Sequence, residues 1–153
     1  MKIILITVFV MGISGIIIAS TIEDFVEFSP RGYEDISRVI MRDGKVLKTS
    51  VPEEGEHLQI NFKKSRGIYE VHVIYFSSTF TLMNFWYDFV RDYTDGLDVA
   101  FSAIPFIYGE FNIEYSKMQL SAWFTGYNNT FFLVYGPKKT IVNDLKLKLN
   151  KSK

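Results

Sequence analysis

Residues 68–96 read IYEVHVIYFSSTFTLMNFWYDFVRDYTDG, and this stretch decides the fold. The first nine residues, Ile68–Phe76, are rich in β-branched and aromatic types and form a strand. Tyr69, Val71, Val73 and Tyr75 take one face, and Glu70, His72, Ile74 and Phe76 the other. Ser77, Ser78 and Thr79 then supply a hydroxyl N-cap. Leu82, Trp86, Phe89, Val90 and Tyr93 recur at helical spacing, with Asn84, Asp88, Arg91, Asp92 and Asp95 mostly opposite. Asp95-Gly96 closes the element, so the spacing predicts a helix over about 79–95.

Upstream, Leu58–Lys63 alternates with Leu58, Ile60 and Phe62 on one face, and Lys64-Ser65-Arg66-Gly67 turns it into Ile68–Phe76 as a hairpin. Further back, FVEF at 25–28 reads as a short strand and Ser29-Pro30-Arg31-Gly32 as a turn. Tyr33–Met41 suits either a helix or a strand. Asp43-Gly44 then predicts a hairpin into the alternating run Lys45–Val51.

Downstream, Leu97–Tyr108 reads as a strand with Pro105 at an edge or bulge, and Gly109 as a break. Phe111, Ile113 and Tyr115 alternate in odd phase, and Met118, Leu120, Ala122 and Phe124 in even phase. A turn or bulge at Ser116-Lys117 is implied. Met118–Thr125 and Thr130–Tyr135, joined by Gly126-Tyr127-Asn128-Asn129, form the clearest hairpin. Gly136-Pro137 ends the sheet and opens a helix over about 138–149, with Ile141, Val142, Leu145 and Leu149 on its apolar stripe. Strand runs with only two helices among them imply an α+β domain over 21–153, an antiparallel β-sheet covered by a central and a C-terminal helix.

An N-terminal hydrophobic segment precedes this domain. Ile3–Ala19 is 17 residues without a charge, which as a helix spans about 25 Å. Residues 1–20 read as a signal anchor, with a cleaved signal peptide as the second reading and a buried core helix as the third. The run is long for a signal peptide, and bulky Ile17 or Ile18 falls three residues before the available cleavage points. Lys2 before the run and Glu23 and Asp24 after it place the domain outside the cytoplasm. The expected location is a cell membrane, or the exterior if the segment is removed.

The 153 residues carry 17 basic and 17 acidic side chains, a balance that argues against nucleic acid as a partner. There is no cysteine, which excludes disulfides, thiolate catalysis and cysteine-bound metals. No P-loop, dinucleotide fingerprint, G-x-S-x-G or H-E-x-x-H occurs, and no cofactor is expected. Glu53, Glu54, Glu56 and His57 lack a recognised ligand spacing and read as a solvated loop, so no metal is expected either. His72 reads as a strand-face residue and not as a base. A hydrolase with an unrecognised site is the third functional reading; a glycosidase-type carboxylate pair could be drawn from residues such as Glu70, Glu110 and Glu114, which any domain of this size would offer. The lysines around Lys138–Lys153 read as the wet side of an amphipathic helix.

The leading functional expectation is a non-enzymatic binding module at the cell envelope, with a protein or envelope component as partner. The alternative is a carrier or sensor of an apolar ligand, in a pocket lined by Trp86, Phe89, Tyr93, Phe106, Trp123 and Phe131. Two sequons, at Asn128 and Asn150, are candidate glycosylation sites in an exported chain.

Overall fold

In the computed structural model the described residues are 22–42, 44–94 and 101–152. The anchor or signal segment, residues 1–20, lies outside them. Among the described residues no helix is long and apolar enough to cross a membrane.

The decisive stretch folds as the sequence predicts. Strand β5 (Gly67–Tyr75) runs into helix α2 (Thr79–Tyr93). Ser78 caps α2 in an extended conformation, its Oγ accepting the Thr81 N–H at 3.1 Å. Such a cap is worth about 1 kcal/mol. The predicted cap at Asp95-Gly96 falls outside the described residues.

β5 sits near the middle of a seven-stranded antiparallel sheet. The other strands are β1 (Glu34–Met41), β4 (Glu56–Lys64), β6 (Phe101–Ile104), β7 (Tyr108–Tyr115), β8 (Met118–Thr125) and β9 (Thr130–Gly136). Their order across the sheet is β1-β4-β5-β9-β8-β7-β6. A separate ribbon pairs β2 (Gly44–Val46) with β3 (Thr49–Val51). Helix α2 and this ribbon cover one face. Helix α3 (Lys139–Asn150) and the short α1 (Glu23–Val26) cover the other.

Burial on both faces explains the near-continuous apolar run TFFLVYG of β9, in which six of seven residues are buried. Phe131 and Leu133 face α2, and Phe132 and Val134 face α3. Helix α2 buries Leu82, Met83, Phe85, Trp86, Phe89, Val90 and Tyr93. Each large side chain so buried contributes about 1.5–3 kcal/mol.

The hairpin at Ser65-Arg66 and the hairpin from β8 to β9 form as predicted. The phase switch at Ser116-Lys117 is a tight turn with φ of 51° and 63°, which joins β7 to β8.

Four expectations are corrected. FVEF is not a strand: Phe25 and Val26 end helix α1 and Glu27 and Phe28 follow it, because Ile22, Phe25 and Phe28 recur at a spacing of three and turn together onto the sheet. The ambiguous run from Tyr33 is strand β1, and it pairs with β4 instead of forming a hairpin through Asp43-Gly44. Lys45–Val51 folds back on itself around Leu47, at φ 55°, because that arrangement buries Val46, Thr49 and Val51. Gly109 is no break. It continues β7 opposite Phe124, where a Cβ would overlap the Phe124 ring, so close ring packing explains the glycine.

Candidate functional site

The six residues expected to line an apolar pocket do not share one space. Trp86, Phe89, Tyr93 and Phe131 lie together in the core between α2 and the sheet. There Phe89 meets Phe131 edge-on at 5.1 Å and Tyr93 at 4.8 Å, while Trp86 meets Phe124 at 5.0 Å. Trp123 projects to the opposite face and stacks on Phe132, with centroids 5.1 Å apart and planes 10° apart. Phe106 stands exposed in the turn between β6 and β7. Neighbouring rings therefore fill the volume around Trp86 and Phe89.

The carboxylates divide in the same way. Glu70 is on the α2 face of the sheet, whereas Glu110 pairs with Lys146 of α3 and Glu114 lines a groove with Lys139 and Asn143. They do not form a pair about one substrate position. Burial pushes the Glu110 carboxyl up, but hydrogen bonds from Lys146, Tyr108 and Asn112 outweigh it and hold the group down at about 2. Among the described residues no group of three or more acidic or histidine side chains could hold a metal ion. Glu53, Glu54 and His57 separate, with Glu54 accepting from Thr81 Oγ1 at 3.2 Å.

His57 lies in β4, not in the acidic loop, and is fully buried. Its Nε2 is 2.8 Å from His72 Nδ1, and His72 Nε2 is 3.4 Å from Glu70 Oε2. With both rings neutral, one proton arrangement satisfies both contacts. His72 Nε2–H points to Glu70, and His57 Nε2–H donates to His72 Nδ1. His57 Nδ1 is then a bare acceptor, with no hydrogen-bond partner among the described residues. Burial, and secondarily the neighbouring His72, push His57 down to about 3. The hydrogen bond from His72 lowers Glu70. The pair is locked into the core. The hairpin register foretells it, since Lys64 opposite Gly67 sets His57 opposite Ile74, diagonal to His72 on one face.

The surface feature that sequence reading missed is at one end of the sheet. Three segments meet there: the turn between β6 and β7, the turn between β8 and β9, and the start of α2. The Gly126 N–H donates to the Ile107 carbonyl at 2.8 Å, which joins the two turns. Thr79 Oγ1 donates to Asn129 Oδ1 at 2.6 Å, which ties in the helix. Phe80, Ile104, Phe106, Ile107 and Tyr127 stand exposed on these segments, Tyr127 by 95%. No charged residue occurs in Phe76–Tyr87, in 101–109 or in 118–137. That triple gap is the sequence signal for this end. Isolated exposed apolar residues are ordinary, whereas these five stand together on three adjoining segments.

The sequons differ in access. Asn128 is half-buried in the turn, Thr125 donates to its Oδ1, and Thr130 is buried. Asn150 and Ser152 are exposed.

The fold has a counterpart among solved structures. A crystal structure of a GTP binding regulator from Thermotoga maritima superposes with a TM-score of 0.64, at 13% identity, over 85% of this chain and 84% of that one. The likeness supports a mostly antiparallel sheet with helices. No protein-family model and no curated protein matches the chain.

Proposed function

We propose that this chain is a non-enzymatic interaction module at the cell envelope, held in a membrane by its N-terminal apolar stretch with the domain outside the cytoplasm. The observation that carries the reading is the exposed cluster Phe80, Ile104, Phe106, Ile107 and Tyr127, set on two turns, a strand end and the start of α2, with hydrogen bonds bracing the turns and the helix against one another. A water-facing end gains nothing from five such side chains. An end that is covered in use gains their transfer from water. The apolar stretch Ile3–Ala19, with Lys2 before it and Glu23 and Asp24 after it, supports the membrane and the orientation.

The test is to express the full chain with a C-terminal tag, then measure its mass, its resistance to carbonate extraction and the accessibility of the tag to protease added outside intact cells. Intact mass, retention in the membrane and a cleavable tag are expected. An intact, freely soluble cytosolic chain would overturn the reading.

A further inference from the structure

We infer that the apolar end lies on the bilayer that holds the chain's own N-terminal stretch, with Ile107, Phe106 and Tyr127 entering its interfacial layer. The inference rests on the membrane-anchor reading above and adds an orientation and a partner, a lipid surface, to it.

The entry point of the chain supplies the first argument. Phe28 packs edge-on against Phe62 at 5.9 Å, and Phe25 against Phe132 at 5.3 Å. Phe62 is near the turn between β4 and β5, at the far end of the sheet. Phe132 is near the turn between β8 and β9, at the apolar end. Followed backward from Phe28 to Phe25, the chain therefore moves toward the apolar end. Helix α3 agrees, since its first turns share a groove with Glu114 and Gln119 near the far end, whereas Lys146 reaches Glu110 and the ring of Trp123 further along. Its last residues, Lys148, Lys151 and Ser152, share a groove with Asp24, Glu27 and Phe28. Ile22 is 3% exposed and is fixed in this cluster.

Tether length supplies the second argument. Only Ser20 and Thr21 separate Ala19 from Ile22. Three peptide steps reach about 10 Å when fully extended. A membrane-embedded Ala19 therefore holds Ile22 close to the lipid, and the end of the sheet nearest Ile22 faces the bilayer.

The chemistry of that end is the third. Its turns carry isoleucine and aromatic side chains without an intervening charge, and tyrosine and other amphipathic rings favour the headgroup level. Charges flank the platform on both sides. Glu53 and Glu54 precede β4 on one side, and Lys148 and Lys151 end α3 on the other. Those flanks stay in the hydrated layer, so the contact is shallow and limited to the turn tips.

The absence of cysteine makes the test clean. Single replacements Tyr127→Cys, Ile107→Cys and, at the far end, Arg66→Cys are labelled with an environment-sensitive nitrobenzoxadiazole dye in the full chain. Each is reconstituted in phosphatidylcholine vesicles, with and without brominated acyl chains. All three sites are exposed, and the emission of the buried Trp86 and Trp123 checks that each variant is folded. The dye at positions 107 and 127 is expected to brighten at least twofold, shift to the blue and be quenched by the brominated lipid, while the dye at 66 is unchanged. Vesicle-bound chain with positions 107 and 127 as water-exposed as position 66 would overturn the inference and leave the anchor standing. Chain that floats free of the vesicles would overturn both.

Discussion

Acid weakens this protein through His57 well before its carboxylates protonate. The imidazole is fully buried, with His72 as its neighbour, and its folded value of about 3 lies below the 6.5 of an unfolded chain. The unfolded state therefore binds the extra proton first. The stabilisation is complete above pH 6.5 and is lost progressively as pH falls from there toward 3. At pH 5, one and a half units below the unfolded value, the loss is about 2 kcal/mol. For a domain of this size that is roughly 5–10 °C in melting temperature. Glu70, Glu110 and Asp144 are all shifted down from carboxylate values, so their contributions are lost below this window. The assay is urea unfolding of the full chain at the two pH values, followed by the emission of Trp86 and Trp123. His57→Leu removes the titrating group and is expected to flatten the difference to below about 0.5 kcal/mol. Equal stability of the native chain at pH 7.5 and 5, or an undiminished slope in His57→Leu, would refute the reasoning.

Three further substitutions test the packing. Gly126→Ala places a Cβ onto the carbonyl oxygen of Phe106, where backbone must yield, and is expected to cost about 2–4 kcal/mol in denaturant unfolding. Gly109→Ala drives a Cβ into the Phe124 ring and to 3.0 Å from Trp86 Cζ2, so a loss of about 1–3 kcal/mol should come with a changed Trp86 emission spectrum. Ser78→Ala removes the cap of α2 and should cost about 1 kcal/mol by the same unfolding measurement, with the fold retained.

Where the fold was legible, the signal was local. Ser78 and the stripe from Leu82 to Tyr93 specify α2 without reference to the rest of the chain. Ser65-Arg66 and Ser116-Lys117 fix two hairpins because a two-residue turn leaves little choice of register. Strand β1 was not legible in this way, since its partner β4 lies beyond the whole β2–β3 ribbon and only tertiary packing selects it. The pocket expectation met a related difficulty. Trp123 and Phe124 are adjacent and both buried, one on each face, because β8 is covered on both sides. Their hydrophobicity announces burial but not which face. Ile104, Phe106 and Ile107 posed the converse problem. Apolar residues beside a strand read as core, and only the position of the turn shows that they face outward.

The most direct test of the whole account is photo-cross-linking in intact cells. The full chain carries a benzophenone amino acid in place of Tyr127, or in place of Arg66 at the opposite end. After irradiation, the mass of the purified chain is measured. A phospholipid adduct at position 127 and none at 66 is the predicted result. A protein adduct at 127, or no lipid adduct there while the chain remains in the membrane, would contradict it.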